Sequence, residues 1–348
     1  MKRRLLTLVA CACSLFAGAQ VTDQTSATLQ NGDQTSVFYG FAAFKEALAA
    51  APDAGAIITL SPGAFENPGD IKKNVKIYGA GFEDDTINHI ARTRINGDIS
   101  LKSSDEVDLT AVRIEGLYIN GNLLFSNDAK TIANTEIVKC SFETFYHQAP
   151  SSNTIIRQSY IRSSVFGENR KATAFVLANC WIGYRIDGFA SGSEVLVDHC
   201  ILDMTYYYYA FGPYFYKNNI VRKDDGAGFI NGATCYNNVG TKARLIDNTN
   251  ISSIGNYGES EWISWASLLK DGQNDLKYNL ADGNTRTWEL NEPTRFVGTD
   301  GTPCGVTGGD YPWNPIPSTP RIISTSVDSK ATPGKLKVNI KAEARPLD

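Results

Sequence analysis

The sequence predicts an all-β fold: a right-handed, single-stranded parallel β-helix of about ten coils, with an N-terminal capping helix and a C-terminal closing segment. Three observations carry this expectation. First, a short phrase recurs about every twenty residues: an apolar run, a polar residue, a small or polar residue, then two apolar residues. It reads IVKCSF around Cys140, IIRQSYI around Ser159, VLANCWI around Cys180, VLVDHCIL around Cys200, FYKNNIV around Asn219 and TCYNNVG around Asn238. The steps between these marker residues are 19, 21, 20, 19 and 19, and the column extends back through Gly116, Gly97 and Gly79 and forward to Asn256. A fixed period of this length marks a solenoid in which each repeat is one coil. Second, the phrase is too short for a helical repeat, and its Val, Ile, Phe and Tyr favour strands.

Third, each column keeps its own chemistry. Three residues before the marker stand Ile137, Ile156, Leu177, Val197, Tyr216 and Cys235; two after it stand Phe142, Ile161, Ile182, Leu202, Val221 and Gly240. Both columns are predicted to stack inside. One residue before the marker stand Lys139, Gln158, Asn179, His199, Asn218 and Asn237. That column suits a bend with positive φ, which Asn and His tolerate better than most residues. Stacked Asn at such a bend is expected to hydrogen-bond from coil to coil.

Residues 1–19 read as a signal peptide: Lys2, Arg3 and Arg4, an apolar stretch from Leu5 to Phe16, then Ala17-Gly18-Ala19 as an A-x-A cleavage site. The alternative, lipidation at Cys11, leaves a short apolar core before the cysteine. The stretch is too short to span a bilayer, so an exported protein is expected, whether periplasmic, cell-surface or extracellular. Residues 20–36 read as a polar leader, residues 37–258 as the β-helix with its cap, and residues 259–348 as the closing segment. GFAAFKEALAAAP places an amphipathic helix at residues 40–52, with Phe41, Phe44 and Leu48 on one face and Pro52 as its stop. After residue 258 the period is lost. EWISWASLL reads as a helix or irregular closing piece, because a solenoid needs its last coil covered. RIISTSV (321–327) and KLKVNIKAEA (335–344) read as a terminal hairpin across a KATPG turn.

Loss of Lys2, Arg3 and Arg4 takes the formal charge from −4 to −7, and no basic patch appears, which argues against a nucleic-acid partner. Five cysteines follow the leader: Cys140, Cys180, Cys200, Cys235 and Cys304. The first three share their column with Ser and Asn, so they read as small buried residues rather than as crosslinks.

The block FKEALAAAPDAGAIITLSPGAF…NVKIYGAGFEDDTI, within residues 41–86, resembles the opening of pectinesterase-like and other pectin-lyase-fold proteins. The whole chain, with GTPCGVTGG before PSTPRIIS, resembles exported β-helix proteins of gut Bacteroidetes. The resemblance implies the fold and a carbohydrate setting. The Asp-Phe-Ile-Phe-Gly and Gly-Arg-Pro-Trp segments of pectinesterases are absent. Val197-Asp198-His199-Cys200 is similar to the Trp-Ile-Asp-His segment of pectate lyases, without the Trp and without a following Arg-x-Pro-x-x-Arg.

Two groups of residues are candidates for function. Tyr206, Tyr207, Tyr208 and Tyr209, with Tyr214 close behind and Tyr184 one coil earlier, crowd aromatic rings into one region. Exposed rings with hydroxyl tips suit the apolar faces and hydroxyls of a sugar. Against this stands a purely structural use of the rings over a long loop. The second group is Arg185, Asp203, Arg222 and Asp224, which stacking at ~4.8 Å places on one outer face. By the resemblance these would serve a Ca²⁺-dependent polysaccharide lyase, with carboxylates on the metal and a basic residue taking the proton α to a uronate carboxyl. Their structural reading is a ladder of alternating charge, which continues through Glu143 and Arg162. His199 likewise has a structural role at the bend, since Asp198 beside it points to the other face. Three functions are thus open: glycan binding or presentation on the outer flank, a lyase (less so a hydrolase or pectinesterase) with Ca²⁺, and a structural or adhesive surface element. The sequence names no cofactor outside the lyase reading.

Overall fold

The computed structural model describes residues 25–86, 88–126, 130–204, 212–223, 232–241, 252–258, 263–270, 288–327 and 338–343. It is an all-β parallel solenoid of about eight turns, slightly fewer than the ten expected. Among the described residues, one flank is a twelve-stranded sheet, the second a nine-stranded sheet and the third a six-stranded sheet. The strands that follow one another around the solenoid are parallel and in register, for example Ile137 with Ile156, Leu177 and Val197.

The predicted interior is the observed one. Ile137, Ile156, Leu177, Val197, Tyr216 and Cys235 are completely buried, as are Phe142, Ile161, Ile182, Leu202 and Val221. The bend column is also as expected: Lys139, Gln158, Asn179, His199, Asn218 and Asn237 all have φ between 49° and 60°. Two details differ. Gly116 aligns with Lys139, since Glu115 pairs with Val138, and Gly79 aligns with Gly116. These glycines therefore continue the bend column and not the marker column. Gly97 belongs to another corner, since Arg94 and Ile95 pair with Tyr118 and Ile119 in the second sheet.

The coil-to-coil ladder runs through the marker column, not the bend column. At the bend the backbone ladder is interrupted, and each marker N–H needs another acceptor. The next coil's marker side chain supplies it. The N–H of Cys140 donates to Ser159 Oγ, that of Cys200 to Asn219 Oδ1, that of Asn219 to Asn238 Oδ1 and that of Asn238 to Asn256 Oδ1. The amides of Asn219, Asn238 and Asn256 then donate back to the carbonyls of Val197, Tyr216 and Cys235. The thiols of Cys180 and Cys200 donate weakly to the equivalent carbonyls of Ile156 and Leu177. Cys, Ser and Asn share this column because each is small and carries hydrogen-bonding capacity. None of the five described cysteines is in a disulfide, and all are buried.

The polar leader expected at residues 20–36 is corrected over its described part. Ser26–Asn31 and Gln34–Tyr39 form a hairpin whose first strand pairs antiparallel with Ala54–Leu60, extending the first sheet. Ala27 and Leu29 alternate with polar neighbours and are buried, and Gly32 turns the chain at φ 58°. The helix follows at Ala43–Ala50, burying Ala43, Phe44, Ala47 and Leu48. Phe41 stands outside it and is exposed.

The C-terminal segment does more than close an end. The second sheet presents Tyr160, Trp181, Ile201, Ile220 and Val239 outward, yet all are buried in a second apolar cluster. Ile263, Leu268, Leu269, Leu290, Phe296, Cys304 and Val306 roof them. A short helix, Trp265–Leu268, is part of that roof. From Val297 onward the chain is a strap running back along the solenoid, from its last coils toward its first. Asn237 Nδ2 donates to Val297 O, Thr299 N to Asn218 Oδ1, Asn179 Nδ2 to Val306 O and Gly308 O, and Gln158 Nε2 to Pro312 O. Ser318 N and Oγ both donate to Glu115 Oε1, and Thr319 Oγ1 donates to Gly79 O. The bend column is thus the strap's docking line. Arg321–Val327 and Val338–Glu343 then pair antiparallel, while the KATPG turn lies outside the described residues.

Candidate functional site

Among the described residues, neither roof nor strap covers the flank of the third sheet. Its inward residues, Leu123, Phe145, Val165 and Ile186, are completely buried. Strand alternation points Leu124, Tyr146, Phe166 and Asp187 outward. Register stacks these four on successive coils, and each is half-buried. The Tyr146 and Phe166 rings meet edge to face, with centroids 6.5 Å apart and planes at 86°. The Arg185 guanidinium lies 4.5 Å from the Phe166 ring centre, and its Nη1 is 3.3 Å from Asp187 Oδ2. Burial holds the Asp187 carboxyl above its ordinary value, with Arg185 pulling it the other way.

Gly212, which follows the tyrosine run in sequence, reaches this same corner. The strand Ile201–Met204 belongs to the second sheet, and Gly212 N donates to Ile186 O on the third. Tyr206, Tyr207, Tyr208 and Tyr209 lie outside the described residues, as does Asp224. Tyr184 is half-buried in the turn that leads into Arg185. Tyr214 does not serve the surface. It is only 7% exposed, packs with the solenoid interior, accepts a hydrogen bond from Phe189 N at its hydroxyl, and stands edge-on to the Phe189 ring. Burial pushes its phenol up to about 12.

The structure divides the charged candidates. Asp203 and Arg222 are register partners, and Arg222 Nη1 lies 3.2 Å from Asp203 Oδ1. Asp203 is 4% exposed, and Arg222 also faces the Trp265 ring of the roof, 5.6 Å away. This pair is packed under the roof and presents no open groove. Arg185 turns instead to Asp187 on the third sheet, so the three do not share one face. One coil earlier, Arg162 pairs with Glu143 at 3.0 Å and donates to Ser141 Oγ and Ile119 O, which is the ladder of alternating charge. Among the described residues no three His, Cys, Asp or Glu side chains gather as a metal-binding group.

His199 is 1% exposed and serves the strap: its Nε2 meets Asp300 Oδ2 at 3.0 Å and its Nδ1 meets Gly305 O at 3.3 Å. His147 lies in the interior, against Phe125, Phe145, Phe175 and Phe189, with Nε2 2.7 Å from Ser151 Oγ. Sequence reasoning missed Tyr146, Phe166 and Asp187. Their signal was present: Phe-Tyr-His at 145–147 and Val-Phe at 165–166 put a ring beside a core residue on two successive coils. Among the described residues no helix is long and apolar enough to cross a membrane. No known family, curated protein or solved structure matches this chain.

Proposed function

We propose that this is an exported β-helix protein that binds glycan along the flank formed by its third sheet. The observation that carries the reading is the outward ladder Leu124–Tyr146–Phe166, ending in the Arg185–Asp187 pair. The Tyr146 and Phe166 rings, 6.5 Å apart and edge to face, offer an apolar surface along the solenoid axis. The guanidinium and carboxylate at one end offer donors and acceptors to sugar hydroxyls, and the preceding Tyr184 extends the surface. The chain's leader, Met1–Ala19, fits delivery to a compartment where polysaccharide is met.

A glycan array on the protein from residue 20 onward tests this, followed by titration of hits against the Tyr146→Ala/Phe166→Ala variant. Each ring stacked on a sugar is worth on the order of 1 kcal/mol by analogy with other aromatic contacts, so losing both weakens binding about tenfold or more. An array without hits, or full affinity in the variant, would sink the reading.

A further inference from the structure

Where the strap reaches the first coils, the fold encloses a cavity of about 300 Å³ with an open mouth. It lies between the N-terminal hairpin, the first strand of the solenoid, residues 79–90 and the end of the strap. Five hydroxyl side chains line it: Ser26, Thr28, Thr59, Ser61 and Thr319. Pro62, Ile90 and Pro320 give it apolar walls, and no charged side chain lines it among the described residues. Its volume is at the lower end of small-ligand sites.

The frame of this cavity is held by bonds a ligand does not need. Ser26 N donates to Ser61 Oγ at 2.9 Å, and Ser61 N donates back to Ser26 O at 2.9 Å. Thr93 Oγ1 donates to Ser61 O and accepts from Ala80 N. Thr319 Oγ1 donates to Gly79 O at 3.2 Å, which fixes the strap side. Thr28 and Thr59 face each other directly across the antiparallel pair, and neither hydroxyl has a protein partner among the described residues. Two hydroxyls held opposite one another on a rigid frame, beside an apolar wall, match a ligand that carries both hydroxyls and C–H faces.

We propose that this cavity binds the ring of an uncharged sugar, as an end site for a glycan. The proposal rests on the glycan reading of the third-sheet flank and adds the class of sugar. A charged ring would lose water here and find no opposite charge, which is costly. A plain aromatic ligand would leave the threonine hydroxyls unpaired. A neutral pyranose pairs those hydroxyls and lays its C–H face on Ile90 and the neighbouring prolines Pro62 and Pro320.

The test is saturation-transfer NMR on the whole protein with the methyl glycosides of glucose, galactose and mannose, and with methyl glucuronide as the charged counterpart. At least one neutral glycoside is expected to bind, and the glucuronide at least tenfold more weakly. Thr28→Val/Thr59→Val keeps shape and removes both hydroxyls. It is expected to weaken the neutral glycoside tenfold or more without changing the melting temperature, while Tyr146→Ala/Phe166→Ala leaves that binding intact. Silence with all three neutral glycosides at tens of millimolar overturns the proposal; so does undiminished binding in the threonine variant, or equal binding of the glucuronide. If polymer binding depends on Tyr146 and Phe166 while no methyl glycoside is held, the cavity proposal fails and the flank reading stands. If neither polymer nor glycoside binds, both fail.

Discussion

His199 Nε2 lies 3.0 Å from Asp300 Oδ2, although 101 residues separate them in sequence. The contact ties the sixth position of the bend column's described run to the strap, and the strap continues it closely. A Cβ on Gly309 would stand 2.7 Å from His199 Cδ2, and one on Gly308 2.9 Å from His199 Cε1. Gly308 and Gly309 therefore pass the imidazole at a distance that leaves no room for a side chain. Gly309 also has φ 72°, which an L side chain resists.

Gly309→Ala is thus expected to lift the strap, with a cost of about 1–3 kcal/mol from backbone strain and overlap together. Limited proteolysis of the folded protein should cut residues 297–319 at least tenfold faster than in wild type, while the interior coils stay resistant. Equal cutting rates would mean the strap does not depend on this contact. His199→Asn should do less harm, because Asn already docks the strap at Asn179 and Asn218.

The marker column yields a sharper stability test. Asn238 accepts at Oδ1 from Asn219 N and Nδ2, and donates from Nδ2 to Tyr216 O and Asn256 Oδ1. Asn238→Leu fills the space but strands several buried polar groups, each worth about 1–3 kcal/mol. The variant is expected to lose several kcal/mol in denaturant unfolding. Cys180→Ser, which keeps a small donor and acceptor, should lose far less. In the native protein the thiols should resist alkylation, since burial pushes Cys140 and Cys304 up to about 12. Similar losses in Asn238→Leu and Cys180→Ser would refute the hydrogen-bonding account of the column.

Much of this was legible because a solenoid repeats its physics. Interior and bend columns can be read from one coil and checked on the next, so Leu177 and Asn179 were placed correctly without a structure. The reading failed where the repeat fails. Coil length changes between Gly116 and Lys139, so counting by period slipped Gly116 and Gly79 by one position and drew in Gly97 from another corner. The hairpin Ser26–Tyr39 has no repeat, only the alternation of Ala27 and Leu29 and a Gly32 turn. The roof was signalled by Trp181-Ile182, Ile201-Leu202 and Ile220-Val221, since successive apolar residues in a parallel strand mean burial on both faces. That signal says a cover exists but not which segment supplies it. The third-sheet flank was less legible: Tyr146 and Phe166 look like core until register sorts inward from outward, and Tyr206 to Tyr209 lie outside the described residues.

Two buried titratable groups set opposite limits on pH stability. Burial, with Asp84 adding to it, pushes the Glu83 carboxyl up to about 8, so the folded state prefers it protonated. Its contribution is fully present below the ordinary value of 4.5 and is lost as the pH rises to about 8. Burial lowers His147 to about 4 from 6.5, so its contribution is present above 6.5 and is lost as the pH falls toward 4. The two slopes oppose each other between 4.5 and 6.5, and above 6.5 only the Glu83 slope remains. Glu83→Gln should therefore flatten the decline between pH 6.5 and 8, where the wild type loses on the order of 1 kcal/mol per unit from this group. Melting curves at pH 5, 6.5 and 8 decide it, and parallel wild-type and variant profiles would refute the assignment.

The Asp203–Arg222 pair separates the binding reading from a lyase. Arg222→Met keeps much of the side chain's length but removes the cation, leaving the Asp203 carboxylate buried without its ion partner. Breaking a buried pair in this way costs about 3–5 kcal/mol. The Asp203→Asn/Arg222→Met double variant should regain part of that loss, because the stranded charge is gone. Neither substitution touches the third-sheet flank, so glycan affinity measured below the variants' melting temperatures should match wild type. The lyase reading expects something else: a folded double variant that has lost the 235 nm absorbance of unsaturated uronate product, which wild type would form from an acidic polysaccharide with Ca²⁺. If wild type forms that product and the folded double variant does not, Asp203 and Arg222 are chemical residues despite their packing, and the binding reading gives way. If wild type forms none while the single variant is destabilised and the double variant partly restored, the pair is a strut between the second sheet and its roof.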